Sequence, residues 1–437
     1  MQETQNKNVL IWFRNDLRIH DNAVLQSAIN ASQNVIALYC FDPRHYETTP
    51  FGFKKTEKFR AKFLIETVSD LKTQLAKLNI SLLVCVEKPE IIIPEIIIKL
   101  SVDSVYLQKE WTSEEVDVLE QVKKASPKHV DFKEVYNQFL FHPDDVPFSS
   151  SEIPEVFTVF RKKVETSVAV RASLQITECL ENQMPLLDIK VPTLHDLGFE
   201  AFEMHPKTAF PFQGGETSAL KHLQSYLFES KKVGFYKLTR NGLIGVDYSS
   251  KCSPWLANGS LSARTIYWEM KRFEQEHVKN ESTYWLIFEL IWRDYFKYIS
   301  MKHQNNIFKI GGILQKEYEW KTNKQYVQQW MDGNTKEPFV NANMIELKKT
   351  GWMSNRGRQN VASYFAKDML MDWRMGAAYF ESMLIDYDVH SNYGNWMYVS
   401  GVGNDPRDRK FNIPLQAKNY DGNGTYQKLW LQNSLFE

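Results

Sequence analysis

Short runs rich in β-branched and aromatic residues recur at 9–13, 35–41, 81–86, 104–107 and 129–135, separated by segments of helical period such as 58–78 and 114–124. Strand and helix alternating in this way predict a doubly wound parallel sheet with helices on both faces. From about 137 to 213 the pattern dissolves into polar residues and prolines (Pro143, Pro147, Pro154, Pro185, Pro192, Pro206, Pro211). That is too long for an ordinary connection and predicts an interdomain crossing with short helices embedded in it. After Gly214 the periodicity is helical almost to the C-terminus. The expected organisation is an α/β domain over 1–136, a linker over 137–213 and an all-α domain over 214–437.

Within the helical half, the run from Trp352 to Trp396 mixes aromatics, arginines, asparagines and paired acids. Its middle, 359–383, has no proline and one glycine, and its apolar spacing predicts a packed amphipathic helix. The chemistry then sits at the two ends. Asn355, Arg356 and Arg358 stand at the front; Asp386, Asp388, Asn392 and Trp396 stand at the back. Two acids two apart, followed by Ser391, Asn392 and Gly394, suit a loop that binds something polar, and the alternative is a solvated helix exit. A calcium loop is disfavoured because the glycine and distal glutamate of that pattern are missing.

Composition narrows the picture. A 437-residue chain that is 43% hydrophobic and 24% charged is globular, with length for two or three domains. Basic and acidic residues are equal at 53 each, so any attraction to nucleic acid must come from a local patch. Cys40, Cys85, Cys179 and Cys252 lie far apart without a Cys-x-x-Cys pair, which suits reduced buried thiols and argues against a disulfide framework and against a metal site. No signal segment or membrane span is legible, and a cytoplasmic location is expected. The first predicted strand is followed by Arg14 to Asn22 with no glycine, whereas a dinucleotide fingerprint needs glycines there, so this is not an ordinary NAD domain. Ten of the twelve tryptophans fall between Trp255 and Trp430; most of these rings are expected to fill a large helical core, with Trp320, Trp373 and Trp396 as candidates for more.

Four segments point the same way: WFRNDLRIHDN, TRNGLIGVDYSSKCSPWLANGSLSARTIY, FELIWRDYFKYI, and the run from WMSNRGRQN to DYDVHSNYGNW. In order and over nearly the whole chain, they resemble the photolyase and cryptochrome flavoproteins, and WRDYFKYISMKHQNNIF with TRNGLIGVDYSSK resembles the cryptochrome DASH branch. The resemblance implies an N-terminal antenna domain and a C-terminal helical domain that holds FAD in a folded conformation.

By similarity, Ser249, Ser250, Lys251, Cys252 and Ser253 match the loop that wraps the FAD phosphates, with Tyr236 adding to the grip. Arg358 and Asp386 match a pair against the isoalloxazine ring, with Asp388, Asn355 and Arg293 completing the pocket. Asn392 matches the position facing flavin N5, where a neutral amide suits the reduced flavin better than a carboxylate. Trp396, Trp373 and Trp320 match the family's electron-carrying tryptophan chain. Glu289 and Trp292, with Asn355 and Arg356, match residues that meet a flipped pyrimidine dimer. Arg240, Arg356 and Lys418, with Arg407, Arg409 and Lys410, are expected as exposed cations that hold phosphates at the rim. Glu110, in KEWTSEE, matches an acid against a methenyltetrahydrofolate antenna.

Two positions depart from the double-strand repair enzymes: Tyr398 replaces a second stacking tryptophan, and Gln359 replaces a methionine near the dimer. The histidines of (6-4) photolyases are absent from the region of Ser354 to Gln359. The function this implies is a light-driven lyase that splits cyclobutane pyrimidine dimers, preferentially in single-stranded DNA. RNA or duplex DNA would be weaker partners, the membrane none, and the protein a monomer. The alternative is a blue-light receptor or nucleic-acid-binding regulator with little or no repair; a chain that ends soon after Trp430, without the long extension of signalling cryptochromes, favours the lyase.

Overall fold

The computed structural model describes residues 7–32, 34–176, 180–185, 189–405 and 407–432; Cys179 lies outside them. The predicted strands form β1 (Asn8–Phe13), β2 (Asn34–Cys40), β3 (Leu82–Cys85), β4 (Val102–Gln108) and β5 (Asp131–Val135). They pair in parallel in the order β3-β2-β1-β4-β5. Side chains alternate across a strand, so Val9, Ile11 and Phe13 enter one core while Leu10 and Trp12 enter another on the opposite face. Both faces are therefore covered by helices, among them Lys58–Lys77 and Ser113–Ala125, which is why the strands read as nearly continuous apolar runs. The chain winds one way from β1 to β3 and the other way to β4 and β5. The carboxyl ends of the central strands at this reversal, marked by Asn15, Tyr39 and Gln108, open into a 310 Å³ cavity against the helical half.

The turn after β1 is a clamp between the two halves. Arg18 donates to the carbonyls of Asp21, Asn137 and Gly259. Asp21 pairs with Arg264 at 2.6 Å, and Glu216 accepts from the backbone N–H groups of Ile19 and His20. Gly259 has φ +73°, and a Cβ there would stand 2.0 Å from the Asn15 carbonyl oxygen, so only glycine permits this approach. The polar residues of the turn thus serve the domain interface.

The stretch after β5 carries the helix Phe157–Ser167, whose Phe157, Phe160 and Val164 join the core of the helical half. That core is organised around the helix Glu281–His303, whose N-terminus is closed by a capping box of Asn280 and Thr283. Two expectations need correction. The segment 359–383 is not one helix: Asn355–Ser363 runs into a π-turn at Tyr364–Asp368, Leu370 turns left-handed at φ +55°, and Trp373–Met383 starts anew with Asp372 accepting from the Arg374 N–H. Lys321 pairs with Met371 across this break, so lost helical bonds are replaced by tertiary ones, while both helices keep their apolar side chains in one core. Cys40 and Cys85, distant in sequence and expected to be buried, are half-buried neighbours.

Candidate active site

The helix Glu281–His303 sets one wall of the principal cavity. Trp285, Glu289, Trp292, Arg293 and Phe296 recur at three- and four-residue spacing, so they share one face and all line a cavity of about 530 Å³. The same cavity is lined by Tyr236, Arg240, the loop Ser249, Ser250, Lys251, Cys252 and Ser253, and by Asn355, Arg356, Arg358, Gln359, Asp386, Asp388 and Tyr398. Asn392 lies outside that wall. It lines a smaller space of about 80 Å³ together with Asn355, Arg358, Asp386, Asp388 and Trp396.

Local chemistry fixes these groups. Ser354 caps the helix Asn355–Ser363 by accepting from the Gly357 N–H, which holds Asn355, Arg356 and Arg358 at a helix start facing the cavity. Arg358 donates through Nε to the Met353 carbonyl and through Nη2 to Asp386, whose Oδ2 also accepts from Ser253 Oγ at 2.6 Å. One carboxylate therefore joins the loop, the helix start and the segment after Trp373–Met383. Asp388 caps the helix Val389–Ser400 by accepting from the Ser391 N–H and takes an ion pair from Lys297 at 3.0 Å. Burial alone would raise its pKa, but Lys297, His390 and Arg293 hold the Asp388 carboxyl far below the usual range. Asp386 is buried, Asp388 is half-buried and each is paired with a cation, so the solvated-exit alternative fails; Ser391, Asn392 and Gly394 lie in the helix Val389–Ser400 and not in the expected loop.

Lys251 lies at φ +54° in the middle of the serine loop, with an ammonium that is nearly fully buried and has no hydrogen-bond partner among the described residues. It sits 3.2 Å from the centre of the Tyr248 ring and 4.7 Å from that of Trp352. Burial pushes its pKa well down, opposed by the nearby buried Glu346. Glu346 accepts from Tyr426 Oη and is itself pushed up by burial to about 7. An orphaned buried cation beside serine hydroxyls and a mouth wide enough for a large ligand is a demand for an anion.

At the other end of the cavity, Glu289 is contacted by Arg240, and Trp292 is stacked on Phe157 at 3.6 Å and 11°. Tyr398 meets Trp292 edge-on at 6.1 Å. Arg356 donates to Gln359 Oε1 and Asn241 Oδ1 and lies over Tyr420. Arg240 and Arg356 are thus half-buried and partnered, not the exposed cations expected, because cavity walls and neutral or acidic acceptors enclose them. Lys418 is exposed but does not line the cavity. Arg407 and Arg409 approach Asp405, and Lys410 approaches Asp368, so carboxylates offset much of the expected basic cluster.

Trp396 is buried against Gly376 and Phe380, and Trp373 is buried on the same helix as Gly376. Trp320 is half-buried, and the Lys321–Met371 bridge ties the residue after it to the segment just before the Trp373 helix. Of the three expected tryptophans, Trp396 lines the small cavity.

Three comparisons with known proteins bear on this geometry. Residues 9–179 match the DNA photolyase model, and residues 285–434 match the model for the FAD binding domain of DNA photolyase. Cryptochrome DASH of Gloeobacter violaceus is 48% identical over 97% of this chain and 85% of its own length. The chain belongs to the photolyase and cryptochrome family, in its cryptochrome DASH branch. Cryptochrome DASH of Xenopus laevis is 46% identical over 97% of this chain and 82% of its own length. The solved cryptochrome of Synechocystis superposes with a TM-score of 0.92 at 44% identity, covering 97% of this chain and 88% of that one. A class III photolyase from Agrobacterium tumefaciens shares the fold, with a TM-score of 0.81 at 24% identity over 98% of this chain and 87% of that one.

The family supports FAD as the ligand, and the residues fit it: Lys251 supplies the unanswered cation, the serines supply hydroxyls, and Arg358 with Asp386 supplies a polar pair beside the smaller cavity. Glu110 stands apart, in the interdomain cavity with Gln108, Arg293 and Lys297. The motifs did not point to Glu346, Trp285, Phe157 or Lys297. The available signal was a charged residue on an otherwise apolar helix face, as with Glu346 in Pro338–Thr350 and Lys297 in Glu281–His303.

Proposed function

We propose that this protein splits cyclobutane pyrimidine dimers in single-stranded DNA with the energy of light absorbed by bound FAD. When bound, FAD supplies the light-driven electron that opens the cyclobutane ring. The observation that carries the reading is the shared cavity: Glu289, Trp292 and Tyr398 line the same 530 Å³ space as the serine loop, Arg358 and Asp386. A substrate and a flavin can then meet without a protein wall between them.

The residues divide the work. Lys251 and the serines hold phosphate charge; Arg358 and Asp386 orient the ring by fixed hydrogen bonds. Trp292, braced on Phe157, offers its other face to an extruded base, and the cavity walls exclude water around it. Glu289 has a raised pKa, chiefly from burial, with Arg240 opposing, and its carboxyl lines the cavity where it can hydrogen-bond the edge of an extruded base. Trp396, Trp373 and Trp320 carry replacement electrons from the surface. Glu110 and its cavity between the domains take a methenyltetrahydrofolate antenna in this reading.

Preference for single strands follows from Tyr398 and Gln359. Extruding a dimer from a duplex costs a few kcal/mol, and stacking contributes about 1–3 kcal/mol per base, so a phenol set edge-on to Trp292 recovers less of that cost than an indole. The test is illumination of reduced protein with an oligonucleotide carrying one thymine dimer, single-stranded or annealed, at one salt concentration. Restored thymines are expected in the single strand and far fewer in the duplex. Absence of repair in the single strand overturns the lyase reading and leaves the light-receptor alternative; equal repair overturns only the strand preference.

A further inference from the structure

Cys40 ends β2 and Cys85 ends β3, and the two are partners in the register of that parallel pair. Their sulfurs lie 3.4 Å apart, although 45 positions separate them in the chain. Both pack against the core on the same face of the sheet, and both are half-buried, whereas Cys252 is buried. Adjacent strands lie about 4.8 Å apart, and a disulfide spans Cα separations of about 4.4–6.8 Å, so the two sulfurs can bond by side-chain rotation with little movement of the backbone.

We propose that Cys40 and Cys85 form a dithiol site that a hydroperoxide oxidises to a reversible Cys40–Cys85 disulfide. One thiolate attacks the peroxide oxygen; the O–O bond breaks, the sulfur keeps a hydroxyl as sulfenic acid, and an alkoxide or hydroxide leaves and takes up a proton. The second thiol then displaces that hydroxyl as water and the S–S bond forms. Two thiols and one hydroperoxide give one disulfide, one water and one alcohol, or two waters from hydrogen peroxide. The sulfurs lose two electrons together and the O–O bond gains them.

With the sulfurs 3.4 Å apart, either thiolate can attack the peroxide and the other thiol is in place to resolve it. Glu87 opposes ionisation of both, and Asp42 opposes that of Cys40, so the reaction is slower than at a site with a neighbouring cation. The bond would fasten the edge strand β3 to β2 at the end where Tyr39 lines the interdomain cavity.

The experiment treats the full chain with hydrogen peroxide, blocks remaining thiols, and examines the digest by mass spectrometry. Free thiols are expected to fall from the four of the sequence to two, with a linked peptide pair holding Cys40 and Cys85, and to return with dithiothreitol. Cys40→Ser and Cys85→Ser should each leave the remaining thiol of the pair as a sulfenic acid trapped by dimedone, with no linked peptide pair. The wild-type digest decides the proposal even if a variant folds poorly. Both cysteines remaining free to alkylation, oxidation to sulfinic acid without a link, or a bond to Cys252 instead would each overturn it.

Discussion

Asp386 is the residue on which the flavin-side geometry turns, since its carboxylate accepts from Ser253 and pairs with Arg358. Asp386→Ala leaves the guanidinium without its partner, at a cost of about 3–5 kcal/mol for a buried pair. The flavin-to-protein absorbance ratio of the purified variant should fall well below that of the parent; an unchanged ratio would detach Asp386 from the flavin. Glu110 makes a different prediction. Burial, reinforced by the charge of Glu115 and opposed by Lys297 and Arg14, pushes its pKa to about 7. An acid near 4.5 when unfolded and near 7 when folded stabilises the fold below the lower value, and that stability is lost as pH rises through the upper one. Glu110→Gln removes the penalty, so its stability, read from thermal unfolding of protein free of antenna, should gain on the parent between pH 5 and pH 8 by on the order of 3 kcal/mol at most. An equal difference at both pH values would contradict this. The motif KEWTSEE marked Glu110 and contains Glu115, but only folding brings Lys297 and Arg14 to it.

Elements place these residues through close packing at a few positions. A Cβ on Gly376 would stand 2.2 Å from the Trp396 indole, so the helices Trp373–Met383 and Val389–Ser400 fit only because that site has no side chain. Gly376→Ala should displace Trp396 and destabilise the protein by about 1–3 kcal/mol, read as a lower urea midpoint with quenched or shifted tryptophan fluorescence. A variant at least as stable, by the helix preference of alanine, would show that the indole moves freely. Periodicity located the helix Trp373–Met383 because buried apolar spacing survives folding, whereas the polar residues of Val389–Ser400 read as a loop. It missed the break at 369–372, since a left-handed Leu370 and the pairing of Lys321 with Met371 leave no mark in the hydrophobic pattern.

At the scale of the whole molecule, the turn after β1 holds the sheet to the helices. Asp21 is buried and accepts from Leu174 N–H, Ser262 and Arg264, so Asp21→Ala strands a buried guanidinium. A loss of about 3–5 kcal/mol is expected, seen by calorimetry as a lower first transition; a change under 1 kcal/mol would show the clamp to be incidental, the range typical of exposed pairs. Sequence by itself determined the strand and helix order, the absence of a glycine fingerprint and, through long ordered motifs, most of the cavity lining. Those features are local or carried by contiguous residues, so spacing and residue type expose them. Tertiary structure alone decided that Phe157 braces Trp292, that Arg240 covers Glu289, that Glu346 lies near Lys251, and that Cys40 meets Cys85. Each joins segments from 45 to 135 positions apart, and burial and charge at such contacts come from packing that no local pattern encodes.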